Sequence, residues 1–135
     1  MTEANRALSI AEELARAESA LAASDLLASG GFPTDAVSRL YYSLLFDVRA
    51  LLLTLGLEAN SHQGALRLLS LHFVKAGRLE PEASHLFSRL MKYREEADYN
   101  PAHVFTVEDV RGLRQETKTL AARIVDLIKE AGYTA

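Results

Sequence analysis

Cysteine is absent from all 135 residues, which removes disulfides, thiolate nucleophiles and cysteine-rich zinc sites together. Glycine and proline are scarce, at 7 and 3 residues, and the period-two alternation that marks half-buried strands is missing. The longest apolar runs, such as Leu51 to Leu53, are far short of the ~20 residues of a membrane span. The N-terminus lacks a basic-then-apolar leader pattern, so a soluble cytoplasmic protein is expected, with no membrane association. Positive charge is not in excess either. The net charge of -3 gives no general affinity for phosphate chains, so any nucleic-acid contact has to be local. No G-x-S-x-G elbow, P-loop or dinucleotide fingerprint occurs, which leaves hydrolase, kinase and Rossmann readings unsupported.

Helical periodicity is what the chain does have. Apolar residues make up 49% of it and charged residues 24%, which suits one globular domain over residues 1–135 with a core of its own. The first segment, about Glu3 to Ala28, repeats Ile10, Leu14, Ala17 and Leu21 at steps of four, three and four, and stops at Ser29-Gly30-Gly31. A second is expected from Thr34, as N-cap, to Gly56. It is apolar on two sides: a broad stripe through Val37, Leu40, Tyr41, Leu44 and Val48, and a second face of Tyr42, Phe46 and Leu53 beside Arg49. Such a helix is either central in a bundle or half of a subunit interface. Ser61 caps a third helix with Leu66, Leu69 and Phe73 facing inward and Gly77 at its end. The fourth begins at Pro81 and stops near Asp98 to Asn100, because Pro101 disfavours helical geometry before it. Thr106-Val107-Glu108-Asp109 opens a fifth like a capping box, followed by Val107, Val110, Leu113, Thr117, Leu120, Ile124 and Leu127 at near-heptad spacing. Helices joined by short turns predict an all-α, up-and-down antiparallel bundle of four to five helices.

One run departs from this pattern. On the fourth helix Ala83, Leu86, Phe87, Leu90 and Met91 share a face, and the same face continues onto Arg94 and then Asp98. Burying a guanidinium costs several kcal/mol unless it is paired, so its place on a core stripe calls for a structural partner or a task. Asp98, four residues on, can pair with it, yet an exposed pair of this kind contributes only ~0.3 to 0.5 kcal/mol. Tyr99 lies about 140° round the helix from Arg94 and joins it only if the helix unwinds; otherwise it packs over the bundle end. His62 follows the Ser61 cap, at a helix N-terminus whose amides favour anions, and a solvated capping-region residue is the plainer reading. His62, His72, His85 and His103 include no pair at i,i+4 and no accompanying acidic ligand pattern, so neither a metal site nor a cofactor is expected. Arg39, Arg49, Arg67, Arg89 and Arg94 lie in the middle of the chain, as one positive patch or as a scattered solvated surface.

Taken in order, Arg39-Leu40-Tyr41-Tyr42-Ser43, Ser61-His62-Gln63-Gly64 and Arg94-Glu95-Glu96-Ala97-Asp98-Tyr99 resemble the small prokaryotic HEPN-domain proteins, from about Asp35 to Ile128. The resemblance implies a helical bundle that forms a homodimer. It also implies a place in toxin–antitoxin gene pairs, where many members are metal-independent ribonucleases and the partner is a minimal nucleotidyltransferase. Their motif is an arginine followed, after four to six residues, by histidine; Arg94 takes the place of the arginine. The corresponding positions here hold Tyr99, Asn100 and Pro101, and His103 lies beyond them. A phenol of pKa about 10 replaces a base that titrates near neutrality. In related systems the partner AMPylates a tyrosine close to this motif, and Tyr99 stands near that place.

Three readings follow. In the first, Arg94, Asp98 and Tyr99, with His62 and Arg39, line an inter-subunit cleft that binds a nucleotide or RNA phosphate, because a guanidinium fork matches phosphate and a phenol ring stacks on a base. In the second the protein is a metal-independent RNA endonuclease, with Arg94 as a catalytic residue and His62 or His103 as the base. In the third Arg94 and Asp98 only stitch two subunits together in a protein-interaction module.

Overall fold

The computed structural model describes residues 1–135 and contains five α-helices and no strand. Helix α1 (Glu3–Ser29) begins at Thr2, whose hydroxyl accepts the Asn5 N–H at 3.1 Å. Its buried side chains, Ile10, Ala17, Ala20 and Ser24, lie along one face, with Leu14 and Leu21 packed at the edge of the core. The helix is mostly alanine and polar residues on its other sides, so it covers the bundle from outside rather than forming its centre.

That centre is α2 (Pro33–Leu53), in which 15 of 21 residues are buried. Its broad stripe meets α4 and α5, and the second apolar face turns out to be intramolecular: Phe46 packs on Ala17 and Ala20 of α1, with the Arg16 guanidinium 4.1 Å above its ring. The start differs from expectation. Pro33 takes the first helical position, where its missing N–H and fixed φ are no handicap, so Phe32 is the cap and Thr34 lies inside the first turn. The Thr34 hydroxyl instead accepts the Phe105 N–H at 3.1 Å, tying the start of α2 to the segment before α5. The helix also stops at Leu53, and Gly56, at φ +71°, closes the turn beyond it.

Helix α3 (His62–Leu69) is capped by Ser61, which accepts the Gly64 N–H at 2.9 Å. Glycine leaves room for that bond: a Cβ on Gly64 would stand 2.9 Å from the same hydroxyl oxygen, which would have to shift. The expected single helix to Gly77 instead widens and stops at Val74. Residues Ser70–Val74 form one π turn, marked by the Lys75 N–H donating to Ser70 O at 2.8 Å. The wider turn keeps both Leu69 and Phe73 fully buried while Ser70 meets Ser84 of α4, hydroxyl to hydroxyl at 2.7 Å. Helix α4 (Pro81–Tyr99) buries Ala83, Leu86, Phe87, Leu90, Met91 and Arg94. Helix α5 (Val107–Glu130) opens with the complete Thr106/Asp109 capping box and buries Val110, Leu113, Thr117, Leu120, Ile124 and Leu127 at the expected spacing. Val107, at the first helical position, is exposed instead of facing the core.

Tyr41 of α2 stacks on Phe87 of α4 at 5.7 Å between ring centres, and both are fully buried. Full burial of one such side chain contributes about 1.5–3 kcal/mol, so this contact is a principal joint between the two helices. No helix is long and apolar enough to cross a membrane.

Helices α1 and α5 flank α2 with a cavity of about 310 Å³ between them, floored by Ser43 and Asp47. Asp47 is buried and faces Glu18 of α1, with Lys118 of α5 also lining the space. Burial first, and then the Glu18 charge, pushes the Asp47 carboxyl up to about 7. A carboxyl raised in the folded state binds more protons folded than unfolded, so the chain loses stability as pH rises from about 4 to about 7. Asp47→Asn is expected to raise the melting temperature at pH 8 and to leave it nearly unchanged at pH 4. A shift of that size corresponds to on the order of 4 kcal/mol, and thermal denaturation of both proteins at the two pH values checks it.

Candidate functional site

Where the apolar stripe of α4 runs out, Arg94 takes the next inward position and is only 8% exposed. Its guanidinium lies 5.7 Å from the centre of the Tyr41 ring. The nearest acidic oxygens are 3.7 Å away on Asp98 and 4.0 Å away on Glu95, beyond hydrogen-bonding distance. Nε is fully buried and has no acceptor. Two other side-chain atoms, Arg6 Nε and Glu13 Oε2, share that condition, but the Arg6 side chain keeps 27% of its surface exposed and Glu13 pairs with Arg16 through its other oxygen at 3.0 Å. Arg94 alone is a nearly buried cation held by electrostatics without a hydrogen bond.

Tyr41 connects this arginine to the start of α3. Its hydroxyl is 2.6 Å from Nδ1 of His62, and the two rings lie 5.5 Å apart. Burial pushes the Tyr41 phenol far above its ordinary value, against the opposing pull of Arg94, so it stays protonated. The His62 imidazole is shifted below its usual range by desolvation first, then by the positive charges of Arg94 and Arg49, with Glu95 opposing. Tyr42 packs edge-on to His62 at 6.0 Å, and the Arg39 guanidinium covers the Tyr42 ring at 4.6 Å. Gln63 closes the far side, donating to Met91 Sδ at 3.6 Å.

Of the residues singled out from sequence, Arg94 and Asp98 therefore stand together, His62 joins them through Tyr41, and Arg39 reaches the edge of the group through Tyr42. Tyr99 does not join them. Helix α4 stays helical through Tyr99, so the ring neither comes round to Arg94 nor packs over the bundle end, and it is 75% exposed. His103 is held elsewhere, 3.6 Å from Glu96 and with its ring 4.5 Å from that of Phe105. Tyr41 and Arg49 are the residues that sequence reasoning passed over as members of the α2 stripe and its flank. The one signal was a phenol among aliphatic neighbours on a central helix. The cavities between α1 and α5 and between α4 and α5 lie away from this cluster. No group of three or more histidine and acidic side chains is close enough to hold a metal ion.

The HEPN domain family matches residues 10–130, and the chain belongs to that family. A Thermotoga maritima protein named "UPF0332 protein" is 33% identical over 70% of this chain and 72% of its own length. A Methanocaldococcus jannaschii protein named "Putative toxin MJ0142" is 38% identical over 63% of this chain and 58% of its own length. A second protein of that organism, also named as a toxin of that kind, is 31% identical over 84% of each chain.

A nearly buried guanidinium whose Nε has no acceptor is unfavourable for the isolated chain. Replacing it with an apolar side chain of similar length is expected to stabilise the fold: Arg94→Met should raise the melting temperature by about 3 °C, equivalent to on the order of 1 kcal/mol. Differential scanning calorimetry checks the direction. An arginine that stitched the structure together would give a fall instead.

Proposed function

We propose that this HEPN protein binds a phosphate group of a nucleotide or of RNA at Arg94, in a cleft closed by a second subunit, as the toxin-like member of a module whose partner is a minimal nucleotidyltransferase. The observation that carries the phosphate reading is Arg94 itself: it is nearly buried, charged, and has its planar fork of donors unused. A phosphate oxygen supplies what Asp98 and Glu95 at 3.7 and 4.0 Å do not, a hydrogen-bonded counter-charge. Tyr42, flanked by Arg39 and His62, offers an aromatic face on which a base can stack, and Tyr99 stands exposed at the end of the same helix as Arg94. The toxin-like role rests on the names of the two archaeal relatives, and the partner on what the family resemblance implies.

Binding is favoured over cleavage because the cluster contains no group suited to taking a proton from a ribose hydroxyl. Tyr41 is held protonated, and His62 has one ring nitrogen committed to Tyr41. Calorimetric titration of the purified protein with inorganic phosphate, AMP and a short single-stranded RNA should show binding that weakens at least tenfold in Arg94→Ala, equivalent to about 1.4 kcal/mol. RNA cleavage that survives a metal chelator and disappears in Arg94→Ala would replace this reading with endonuclease chemistry. A change in sedimentation on Arg94→Ala, without any effect of phosphate on the wild type, would leave only subunit stitching.

A further inference from the structure

The hydroxyl of Tyr41 and Nδ1 of His62 are 2.6 Å apart, so one hydrogen is shared between them, and only two arrangements are available. Either the phenol donates to a bare Nδ1, or a protonated Nδ1 donates to the phenol oxygen. Tyr41 is fully buried, and His62 is the only hydrogen-bonding partner of its hydroxyl. In the second arrangement the phenol hydrogen would be buried with no acceptor, which native structures avoid. The first arrangement satisfies both groups. A neutral imidazole with a bare Nδ1 carries its hydrogen on Nε2.

We propose that Tyr41 is a positioning residue that holds His62 as the Nε2–H tautomer, making His62 a second hydrogen-bond donor to the phosphate at Arg94 and denying it the role of base. The proposal rests on the phosphate-binding reading given above. It adds the chemistry by which the site distinguishes ligands, since two fixed donors require an acceptor-rich anion such as a phosphate oxygen and disfavour a group that must itself donate. The charged and titratable groups around His62 act in the same sense. Arg94 on α4 and Arg49 on α2 oppose an imidazolium, and only Glu95 favours one, while Tyr41 and Tyr42 complete the surroundings as neutral phenols. Position contributes as well: His62 is the first residue of α3, and its place is set by the Ser61 cap and the absence of a Cβ at Gly64.

A base must present a lone pair to the proton it removes. With Nδ1 accepting from Tyr41 and Nε2 protonated, His62 has none to offer, which separates this site from one built for 2′-hydroxyl activation.

Long-range ¹H–¹⁵N correlation spectra of histidine-labelled protein without ligand, at pH 7.5, read the tautomer directly. The expected result is His62 as Nε2–H in the wild type, with Tyr41→Phe giving a mixture of tautomers and a His62 that titrates closer to its ordinary pKa. An Nδ1–H form in the wild type, or a tautomer unaltered in Tyr41→Phe, overturns the proposal. Titration with inorganic phosphate then tests the donor role. Addition should shift the His62 Nε2 signal, and His62→Ala should lose about tenfold in affinity that His62→Gln, whose amide also donates, largely restores. The glutamine variant keeps the test decisive should Tyr41→Phe fail to fold. If the tautomer is as expected but phosphate does not bind at all, the phosphate-binding reading fails and the donor role falls with it; if phosphate binds and the Nε2 signal does not move, only the donor role is lost.

Discussion

The structure depends on burying one helix from every side. Helix α2 is apolar on two faces, and four other elements are placed by the need to cover them: α1 over Phe46, α4 and α5 over the aliphatic stripe, and the start of α3 over Tyr41. Any polar atom on such a helix must find its partner locally or go without. Ser43 bonds the Leu40 carbonyl of its own helix at 2.7 Å, and Tyr41 reaches His62. Asp47 finds neither solution and remains protonated in part near neutral pH.

The candidate site is the place where this packing stops being self-sufficient. Met91 and Phe87 finish the apolar part of α4, and one helical turn later the core receives a cation, a phenol and an imidazole in place of aliphatic side chains. The phenol and imidazole satisfy one another, whereas the cation is left with ion pairs too long to be hydrogen bonds. Positive charge in this corner is therefore organised by a rigid aromatic frame, Tyr41 with Tyr42, Phe87 and His62, more than by acidic neighbours.

Much of the fold was legible because five amphipathic segments carried their own punctuation. Ser61, Pro81 and the Thr106/Asp109 box mark helix starts by chemistry that acts over three or four residues. Arg94 was legible as an anomaly for the same reason, since it interrupts a regular stripe. The misreadings involve interactions between distant segments. Thr34 has the chemistry of a cap but is recruited by Phe105, 71 residues away, and the choice between interface and interior for the second face of α2 depended on where α1 would lie. The meeting of Tyr41 with His62 spans 21 residues and two helices, so no local pattern announces it. Pro101 unwinds the chain only from Asn100, whose extended backbone ends α4 after Tyr99, so that ring stays about 140° round the helix from Arg94.

The π turn at Ser70–Val74 is the last turn of the segment that α3 begins. Closed by a bond to the fifth residue, it holds one residue more than an α turn over nearly the same rise, just before the chain leaves the helix. The extra residue is taken up at the exit of the segment, where Phe73 enters the core and Gly77 turns the chain, while the Ser61 cap and His62 stand at its entry. The fit to the core is thus made at one end of the segment and the imidazole's place beside Tyr41 is set at the other.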